Sequence, residues 1–221
     1  MQPDFQLAWH EGDDYPEWGS RPRKPLVQFD SAHKGEWLDS VIGKHPKTGK
    51  DMIYHIVRWE LCIATHIWPL PTEADLHAYY TREFYQSEKP EMIAHYESDA
   101  EWWAQCMHGP MLDAAVQALQ APTSSAPSIL DIGAGPGLLL RQAQERDWST
   151  HAIEPSPICA ERLWNAGHYV WKTWPANASF HIVTLWETLE HVSCPETMLL
   201  QVWDILKPGG IVAICVPNEG N

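Results

Sequence analysis

The chain has 221 residues, of which 44% are hydrophobic, a length and composition typical of one sizeable folded domain or of a domain with a smaller module. Its formal net charge of -14 at pH 7 argues against a broad phosphate-binding surface, because nucleic-acid binding depends on lysine and arginine side chains that neutralise phosphates. We therefore rank nucleic acid low among the expected partners.

The N-terminal part of the chain, residues 1–70, is predicted to form a small irregular and β-containing module. Residues 1 to about 50 are rich in proline, glycine, histidine and charged residues, which favours turns and irregular chain over long elements. The stretch from Met52 to Trp68 is β-branched and aromatic with rough alternation, and it predicts a strand or a hairpin.

Residues 71–125 are predicted to form a helical cap and a linker. Thr72 is a candidate N-cap, followed by acidic residues in the first turn of a helix. A longer helical stretch is predicted from Asp99 to Leu119, and the breaker sequence APTSSAP, residues 121–127, ends it.

From residue 126 to residue 221, predicted strands and helices alternate. The predicted strands are Ser128–Ile132, Thr150–Ile153, Tyr169–Trp171, His181–Leu185 and Ile211–Val216. The predicted helices are Leu138–Arg146, Pro157–Ala166 and Pro195–Leu206. Alternating segments of these lengths indicate an α/β domain with a mostly parallel, doubly wound sheet.

Three glycines follow the first of these strands, in the sequence SILDIGAGPGLLLRQ of residues 128–142. Gly133 and Gly135 would let the backbone turn tightly and approach a ligand, and Gly137 would open the next helix, whose N-terminal amides favour negative charge. In a doubly wound sheet, ligands bind at the carboxyl ends of the strands. The turn is therefore a candidate binding loop, although a glycine triplet alone also occurs in plain βα turns.

Three further segments agree with a binding loop at this place. The sequence HAIEPS puts Glu154 at the end of the second strand, about 20 residues after the first, where a carboxylate can accept hydrogen bonds from both hydroxyls of a ribose. The sequence FHIVTLWETLEHV is an apolar strand that ends in a polar loop. The sequence LKPGGIVAICVP contains a helix end, a turn and a fifth strand.

The motifs ILDIGAGPG, IEPS, VTLWETLEHV and LKPGG, in this order and spacing over residues 128–217, resemble the class I S-adenosylmethionine-dependent methyltransferases. The resemblance implies a Rossmann-like fold and S-adenosylmethionine as the cofactor. It also implies a set of cofactor-binding residues: Asp131, Gly133, Ala134, Gly135, Glu154, Leu185 and Trp186. Asp131 and the glycines would line the methionine part, Glu154 would hold the ribose, and the last two would pass near the adenine or the sulfonium.

The upstream sequence HIVRWELCIATHIWPLPTEADLHAYYTREFY is similar to a subgroup of this family that has an N-terminal zinc ribbon. The Cys-x-x-Cys of that subgroup reads Trp59-Glu-Leu-Cys62 here, so a degenerate module is expected. Cys62 and His66 are spaced like zinc ligands, but packing roles are favoured because two further ligands cannot be named.

The chain departs from the family pattern in two other places. The aspartate that begins the family's fourth strand is replaced by His181. Two more strands normally follow the fifth strand of this fold, and we expect the sheet to lack them. An edge strand would then lie open, so an oligomer or a partner chain that covers it is expected.

The loop sequence ETLEH supports three interpretations. Glu187, Glu190 and His191 supply two carboxylates and an imidazole, a donor set suited to Mg²⁺. Quinone-biosynthesis O-methyltransferases and a group of small-RNA 2′-O-methyltransferases carry this pattern as a metal site. The second interpretation is that Glu190 and His191 only structure the loop. The third is that His191 acts as a general base, since histidine titrates near neutral pH.

Tyr79, Tyr80 and Tyr85, in the helical cap, also have two interpretations. They close over a bound cofactor, or they form an aromatic stripe in the core.

Cysteine usage and the first residues predict the compartment. The five cysteines are odd in number and scattered, which is typical of free thiols in a reducing environment. The N-terminal sequence lacks a basic start followed by an apolar run, and no stretch approaches the ~20 apolar residues of a membrane span. These features predict a cytoplasmic protein without a membrane segment.

The expected function is methyl transfer from S-adenosylmethionine to an oxygen or nitrogen of a small molecule or sugar. Two alternatives stay open at this point. One is a catalytically degenerate methyltransferase fold that serves as a structural or assembly protein. The other is an RNA 2′-O-methyltransferase, which the net charge of -14 disfavours.

Overall fold

The computed structural model describes residues 26–28, 34–45, 48–59, 65–120 and 126–217. Two compact units are formed: one contains most of a four-stranded sheet, and the other contains the described residues from Leu70 onward. Cys62 lies outside the described residues, so its predicted packing role stays a prediction. Within the described ranges, every helix is too short or too polar to span a bilayer.

The N-terminal sheet has the strand order β1-β2-β3-β4. Its strands are β1 (Leu26–Gln28), β2 (Lys34–Lys44), β3 (Asp51–Trp59) and β4 (Thr65–Trp68). Of the strand or hairpin predicted for residues 52–68, the antiparallel pairing of β3 with β4 agrees with the hairpin.

The 11-residue strand β2 differs from the expectation that residues 1 to about 50 favour turns and irregular chain over long elements. Strand β2 contains no proline, its two glycines lie next to its ends, and its other residues include Trp37, Val41 and Ile42, which are typical of strands. Because β2 is hydrogen-bonded to neighbours on both sides in the sheet, pairing stabilises it in spite of the composition around it.

The helical region follows in the second unit. Its elements are α1 (Glu73–Arg82), a π-helical segment (Phe84–Glu88), α2 (Met92–Ser98), α3 (Ala100–Trp102), a second π-helical segment (Trp103–His108) and α4 (Gly109–Ala118). The Thr72 hydroxyl accepts a hydrogen bond from the backbone N–H of Asp75 at 3.2 Å, which confirms the predicted N-cap. The predicted helix over residues 99–119 corresponds to α3, the second π-helical segment and α4.

The α/β domain is built on five parallel strands in the order β7-β6-β5-β8-β9. Its elements are β5 (Ser128–Ile132), α5 (Leu138–Gln144), β6 (Ser149–Ile153), α6 (Pro157–Asn165), β7 (Tyr169–Trp171), β8 (Phe180–Trp186), a 3₁₀ turn (Leu189–His191), α7 (Pro195–Ile205) and β9 (Leu206–Cys215). The predicted Rossmann-like sheet of five parallel strands is confirmed.

Strand β9 begins five residues before the predicted start at Ile211. Leu206 pairs with Phe180 and Ile211 pairs with Ile182, so four residues, KPGG, lie opposite His181 alone. The predicted turn therefore exists as an irregularity inside the strand, because pairing with β8 resumes on both sides of it.

Helices cover both faces of this sheet. Ile129 packs in a buried cluster with Leu112 of α4 and Leu140 of α5. Its neighbour Leu130 packs in a second cluster with Val202 of α7. Because successive side chains of a strand point to opposite faces, adjacent residues of β5 supply both cores.

The chain order of the strands fixes where a ligand can bind. From β5 the chain proceeds outward to β6 and β7, then crosses back to β8 and proceeds to β9. The carboxyl ends of β5 and β8 therefore flank a topological switch point, which is the usual ligand site of an open α/β sheet. At the far edge, β9 pairs with β8 alone among the described strands, and the predicted partner over this edge stays a prediction.

Candidate functional site

A cavity of about 1310 Å³ opens at the carboxyl ends of the parallel strands. Small-molecule pockets are typically about 300–1,000 Å³, so this space can hold two small molecules at once. Eight of the predicted site residues line it: Asp131, Gly133, Ala134, Gly135, Glu154, Trp186, Glu187 and His191. The other two, Leu185 and Glu190, are not among the lining residues. Leu185, a residue of β8, is fully buried in the core.

The glycine turn after β5 has a backbone that only glycine adopts easily. Gly133 and Gly135 have φ angles of 75° and 51°, in the left-handed region. A Cβ at Gly133 would collide with the Thr188 side chain, and a Cβ at Gly135 would lie 3.1 Å from the Tyr85 hydroxyl. The missing side chains therefore keep the turn close to its neighbours and keep its backbone facing the cavity.

The carboxylate of Glu154 is held by two backbone N–H groups. Gly135 donates to Oε2 and Ser156 donates to Oε1, each at 2.7 Å. Burial raises the pKa of Glu154, and these two hydrogen bonds lower it. A carboxylate has about four lone-pair positions, so two remain for hydroxyl groups of a ligand.

Asp131, the last polar residue of β5, is fully buried in the wall of the cavity. Its carboxyl accepts a hydrogen bond from the Thr184 hydroxyl at 2.6 Å. Burial raises the pKa of Asp131 to about 7, and the nearby Glu154 adds to this effect. Asp131 therefore holds a proton on its carboxyl group over much of the acidic pH range.

Aromatic side chains from the helical cap form one side of the cavity. Tyr80, Phe84, Tyr85, Tyr96 and Trp103 line it. Tyr79 does not, and instead packs on Tyr80 and Phe84 with ring centroids 5.1 and 5.7 Å apart. Burial raises the pKa of Tyr85, whose hydroxyl lies close to the glycine turn. Tyr80 and Tyr85 are therefore placed where they could contact a ligand, whereas Tyr79 packs on other aromatic rings of the cap.

The loop after β8 brings only part of the predicted metal set into the cavity. Glu187 has a φ angle of 48°, which is uncommon for a residue with a side chain. His191 lies against the Tyr80 ring at 5.5 Å, and its Nε2 is 3.8 Å from Oε1 of Glu190. Within the described ranges, no three His, Cys, Asp or Glu side chains are placed to hold a metal ion. The arrangement of this loop does not fit a Mg²⁺ site.

His108 belongs to the cavity wall and was not predicted from the sequence. It ends the second π-helical segment and is 5% exposed. Its ring stacks on Trp103 at 5.6 Å and meets Trp186 edge-on at 5.1 Å. Burial lowers the pKa of His108 to about 4. No motif surrounds it in the sequence, and a histidine within a helix more often has a packing role.

His181 lies at the opposite, amino end of the sheet. Its Nδ1 accepts a hydrogen bond from the backbone N–H of Ser128 at 2.9 Å, which links the first residue of β5 to the second residue of β8. The Lys207 ammonium lies 3.2 Å from its Nε2. The histidine that replaces the family's aspartate thus joins two strands away from the cavity.

Comparisons with solved structures find methyltransferases of low identity. Structures similar to this chain include S-adenosylmethionine-bound CalS10, an amino pentose methyltransferase from Micromonospora echinaspora, with 19% identity, a TM-score of 0.44, and coverage of 54% of this chain and 55% of CalS10. An S-adenosylmethionine-dependent methyltransferase from Clostridium acetobutylicum has 14% identity, a TM-score of 0.42, and coverage of 54% and 56%. The plantazolicin methyltransferase BpumL with S-adenosylhomocysteine has 15% identity, a TM-score of 0.45, and coverage of 63% and 56%. The similar region therefore spans little more than half the length of these proteins.

The family itself is shown by sequence. No curated protein sequence matches the chain at a significant level. A family model described as a methyltransferase domain matches residues 103–220, which is more than half of the chain. These comparisons favour neither a catalytically degenerate fold with a structural or assembly role nor an RNA 2′-O-methyltransferase. The chain belongs to the methyltransferase domain family, and its resemblance to the class I S-adenosylmethionine-dependent methyltransferases is confirmed.

Proposed function

We propose that the protein transfers a methyl group from S-adenosylmethionine to an oxygen or nitrogen atom of a small molecule or sugar. The observation that carries this proposal is the pairing of the glycine turn with Glu154 in the wall of one large cavity. The cavity volume of about 1310 Å³ supports it, because a cofactor and an acceptor must be bound together for the transfer.

The residues around the turn fit the proposed cofactor. The two unused lone-pair positions of Glu154 would accept hydrogen bonds from ribose hydroxyls, and the backbone of Gly133, Ala134 and Gly135 would lie against the methionine part beside Asp131. Trp186 would offer an apolar ring face near the reacting end. Leu185 is fully buried, so the strand backbone and not its side chain would pass near the cofactor.

The cofactor supplies a methyl group bonded to a sulfonium. A lone pair of the acceptor attacks the methyl carbon, and the electron pair of the broken C–S bond stays on sulfur. The protein would supply position and proton transfer. We propose His191 as the group that takes the acceptor's proton, since it lines the cavity beside Tyr80. Glu190 does not line the cavity and is proposed to orient His191 through its carboxylate.

A metal-assisted version of the reaction is not supported by the site. Glu187 and His191 face the cavity and Glu190 does not, so the three donors do not converge. We derive no step through Mg²⁺.

Calorimetric titration with S-adenosylmethionine tests the proposal. We expect micromolar binding to the native chain and at least a tenfold loss in Glu154→Ala. Glu161→Ala is the matched control, because Glu161 is an exposed glutamate on α6 outside the cavity. Absence of binding to the folded native chain would refute the proposed function. Equal binding by Glu154→Ala would refute only the role of Glu154.

A further inference from the structure

The cavity wall contains one buried polar side chain, His108, to which the proposed cofactor binding and methyl transfer assign no role. His108 ends a π-helical segment, lines the cavity and is only 5% exposed. Its Nδ1 is buried and has no hydrogen-bond partner in the described part of the chain. A buried N–H group without an acceptor costs about 1–3 kcal/mol, so the unpaired Nδ1 decides which ring nitrogen carries the proton.

The two ring nitrogens of His108 have different surroundings. Nδ1 is enclosed by protein, whereas Nε2 is not among the enclosed unpaired atoms and makes no hydrogen bond within the described ranges. Nε2 therefore reaches the surface of the cavity that the residue lines. A proton on Nδ1 would bury an N–H group without an acceptor, which native structures rarely do. The proton is better placed on Nε2, where it faces the cavity.

The ring is held in this orientation by its neighbours. Trp103 lies parallel to it at 5.6 Å with 19° between the planes, and Trp186 meets it at 84°. Burial lowers the pKa of His108 to about 4, so the imidazole is neutral at pH values above this. A neutral imidazole that presents N–H to the cavity is a hydrogen-bond donor and not a base.

His108 and Glu154, the proposed ribose-binding acid, lie on opposite sides of β5. Glu154 follows β6, and Trp186, which His108 contacts, ends β8 on the other side of β5. The wall near His108 is aromatic, with Tyr96 and Trp103 rings 5.8 Å apart. The Asp, Glu, Lys and Arg side chains that line the whole cavity are four carboxylic acids and one lysine: Glu73, Asp131, Glu154, Glu187 and Lys172. Such a wall suits a planar aromatic molecule and disfavours an anion.

We propose that His108 is a recognition residue for the methyl acceptor, and that the acceptor is an aromatic molecule with an uncharged oxygen that accepts a hydrogen bond from Nε2–H of His108. This inference rests on the proposed methyl transfer, because it assigns the space beside Trp186 to the acceptor. It gives His108 no part in proton transfer.

Two matched probes test the proposal on the chain saturated with S-adenosylhomocysteine. Acetophenone carries a carbonyl oxygen, whereas ethylbenzene has no hydrogen-bond acceptor, and the two molecules are otherwise similar in shape. We expect the ketone to bind about fivefold more tightly, the ratio that one net hydrogen bond of about 1 kcal/mol provides. In His108→Phe, which keeps a flat ring, this preference should disappear. In His108→Gln, which keeps an N–H donor, part of it should return.

Nitrogen-15 NMR of labelled histidine reports which ring nitrogen carries hydrogen and whether its signal shifts when a probe binds. A histidine that only packs in the core would show no such ligand-dependent shift. The signal lost in His108→Phe should show hydrogen on Nε2 and should shift with the ketone but not with ethylbenzene. Equal affinity for the two probes, no binding of either probe, an unchanged preference in His108→Phe, or hydrogen on Nδ1 would each overturn the inference. S-adenosylhomocysteine affinity is measured first for the native chain and for His108→Phe. Its absence in the native chain would refute the proposed function instead.

Discussion

The backbone N–H of Gly135 donates to the carboxylate of Glu154 across 2.7 Å, so the turn after β5 and the acid after β6 form one hydrogen-bonded unit. The second oxygen of the same carboxylate accepts from Ser156, at the start of α6. Because one side chain satisfies donors from two loops, a change in either loop alters the position of the acid in the cavity.

Gly135→Ala should weaken cofactor binding more than it weakens the fold. The φ angle of 51° costs a residue with a side chain about 1–2 kcal/mol, and the new Cβ would lie 3.1 Å from the Tyr85 hydroxyl. We expect at least a tenfold loss of S-adenosylmethionine affinity by calorimetry. Gly167→Ala is the control, since Gly167 has a φ angle of 91° and does not line the cavity. A similar loss of affinity in that control would show that strain alone is responsible.

Asp131 should make the free protein less stable as pH rises from about 4 to about 7. Its pKa is raised to about 7 in the fold, so the folded state binds a proton that the unfolded state has released. The stabilisation is complete below the unfolded pKa and is lost as pH rises through 7. The change is on the order of a few kcal/mol, because one pKa unit corresponds to about 1.4 kcal/mol.

Urea unfolding of Asp131→Asn across this pH range measures the effect. The amide cannot ionise, so the slope of unfolding free energy against pH should flatten. Asp204→Asn, at an exposed position of α7, should keep the native slope. If Asp131→Asn also kept it, Asp131 would not be the group that titrates.

His181→Ala should destabilise the protein without changing cofactor affinity. The substitution leaves the Ser128 N–H without its acceptor at the amino end of the sheet, at a cost of about 1–3 kcal/mol. His181→Asp supplies a carboxylate near the same N–H and near Lys207, so it should retain more stability than His181→Ala. Thermal unfolding compares the variants. A change in S-adenosylmethionine affinity in either variant would contradict a purely structural role.

Removal of divalent metal should leave cofactor binding and methyl transfer unchanged. Glu187, Glu190 and His191 do not form a three-ligand set among the described residues. Titrations with S-adenosylmethionine in EDTA and in Mg²⁺ should give the same affinity, and a Glu187→Ala variant should behave alike in both buffers. A Mg²⁺-dependent gain that Glu187→Ala abolishes would restore the metal interpretation.

Local patterns were enough to predict the α/β domain. Apolar segments of strand length alternate with amphipathic helices from residue 128 onward, and the glycine turn marks the end of β5. The acid at the end of β6 could be placed because its distance from the turn is set by one βα unit. These features depend on residues close together in sequence.

The features that were missed depend on contacts between distant segments. Strand β2 is stabilised by neighbours on both sides, and composition averaged over 50 residues does not reveal such pairing. His108 faces the cavity because Trp103 and Trp186 hold its ring, and these residues lie on different elements. The role of His181 likewise depends on Ser128, which lies 53 residues earlier in the chain.

The π-helical segment Trp103–His108 changes the angular register of one continuous helical stretch. An α-helix advances about 100° per residue, so an extra residue in one turn rotates everything beyond it relative to everything before it. Leu112 of α4 is fully buried in the sheet core, while Trp103, the first residue of the π-helical segment, lines the cavity. One continuous helical stretch thus contributes side chains both to the cavity wall and to the core of the sheet.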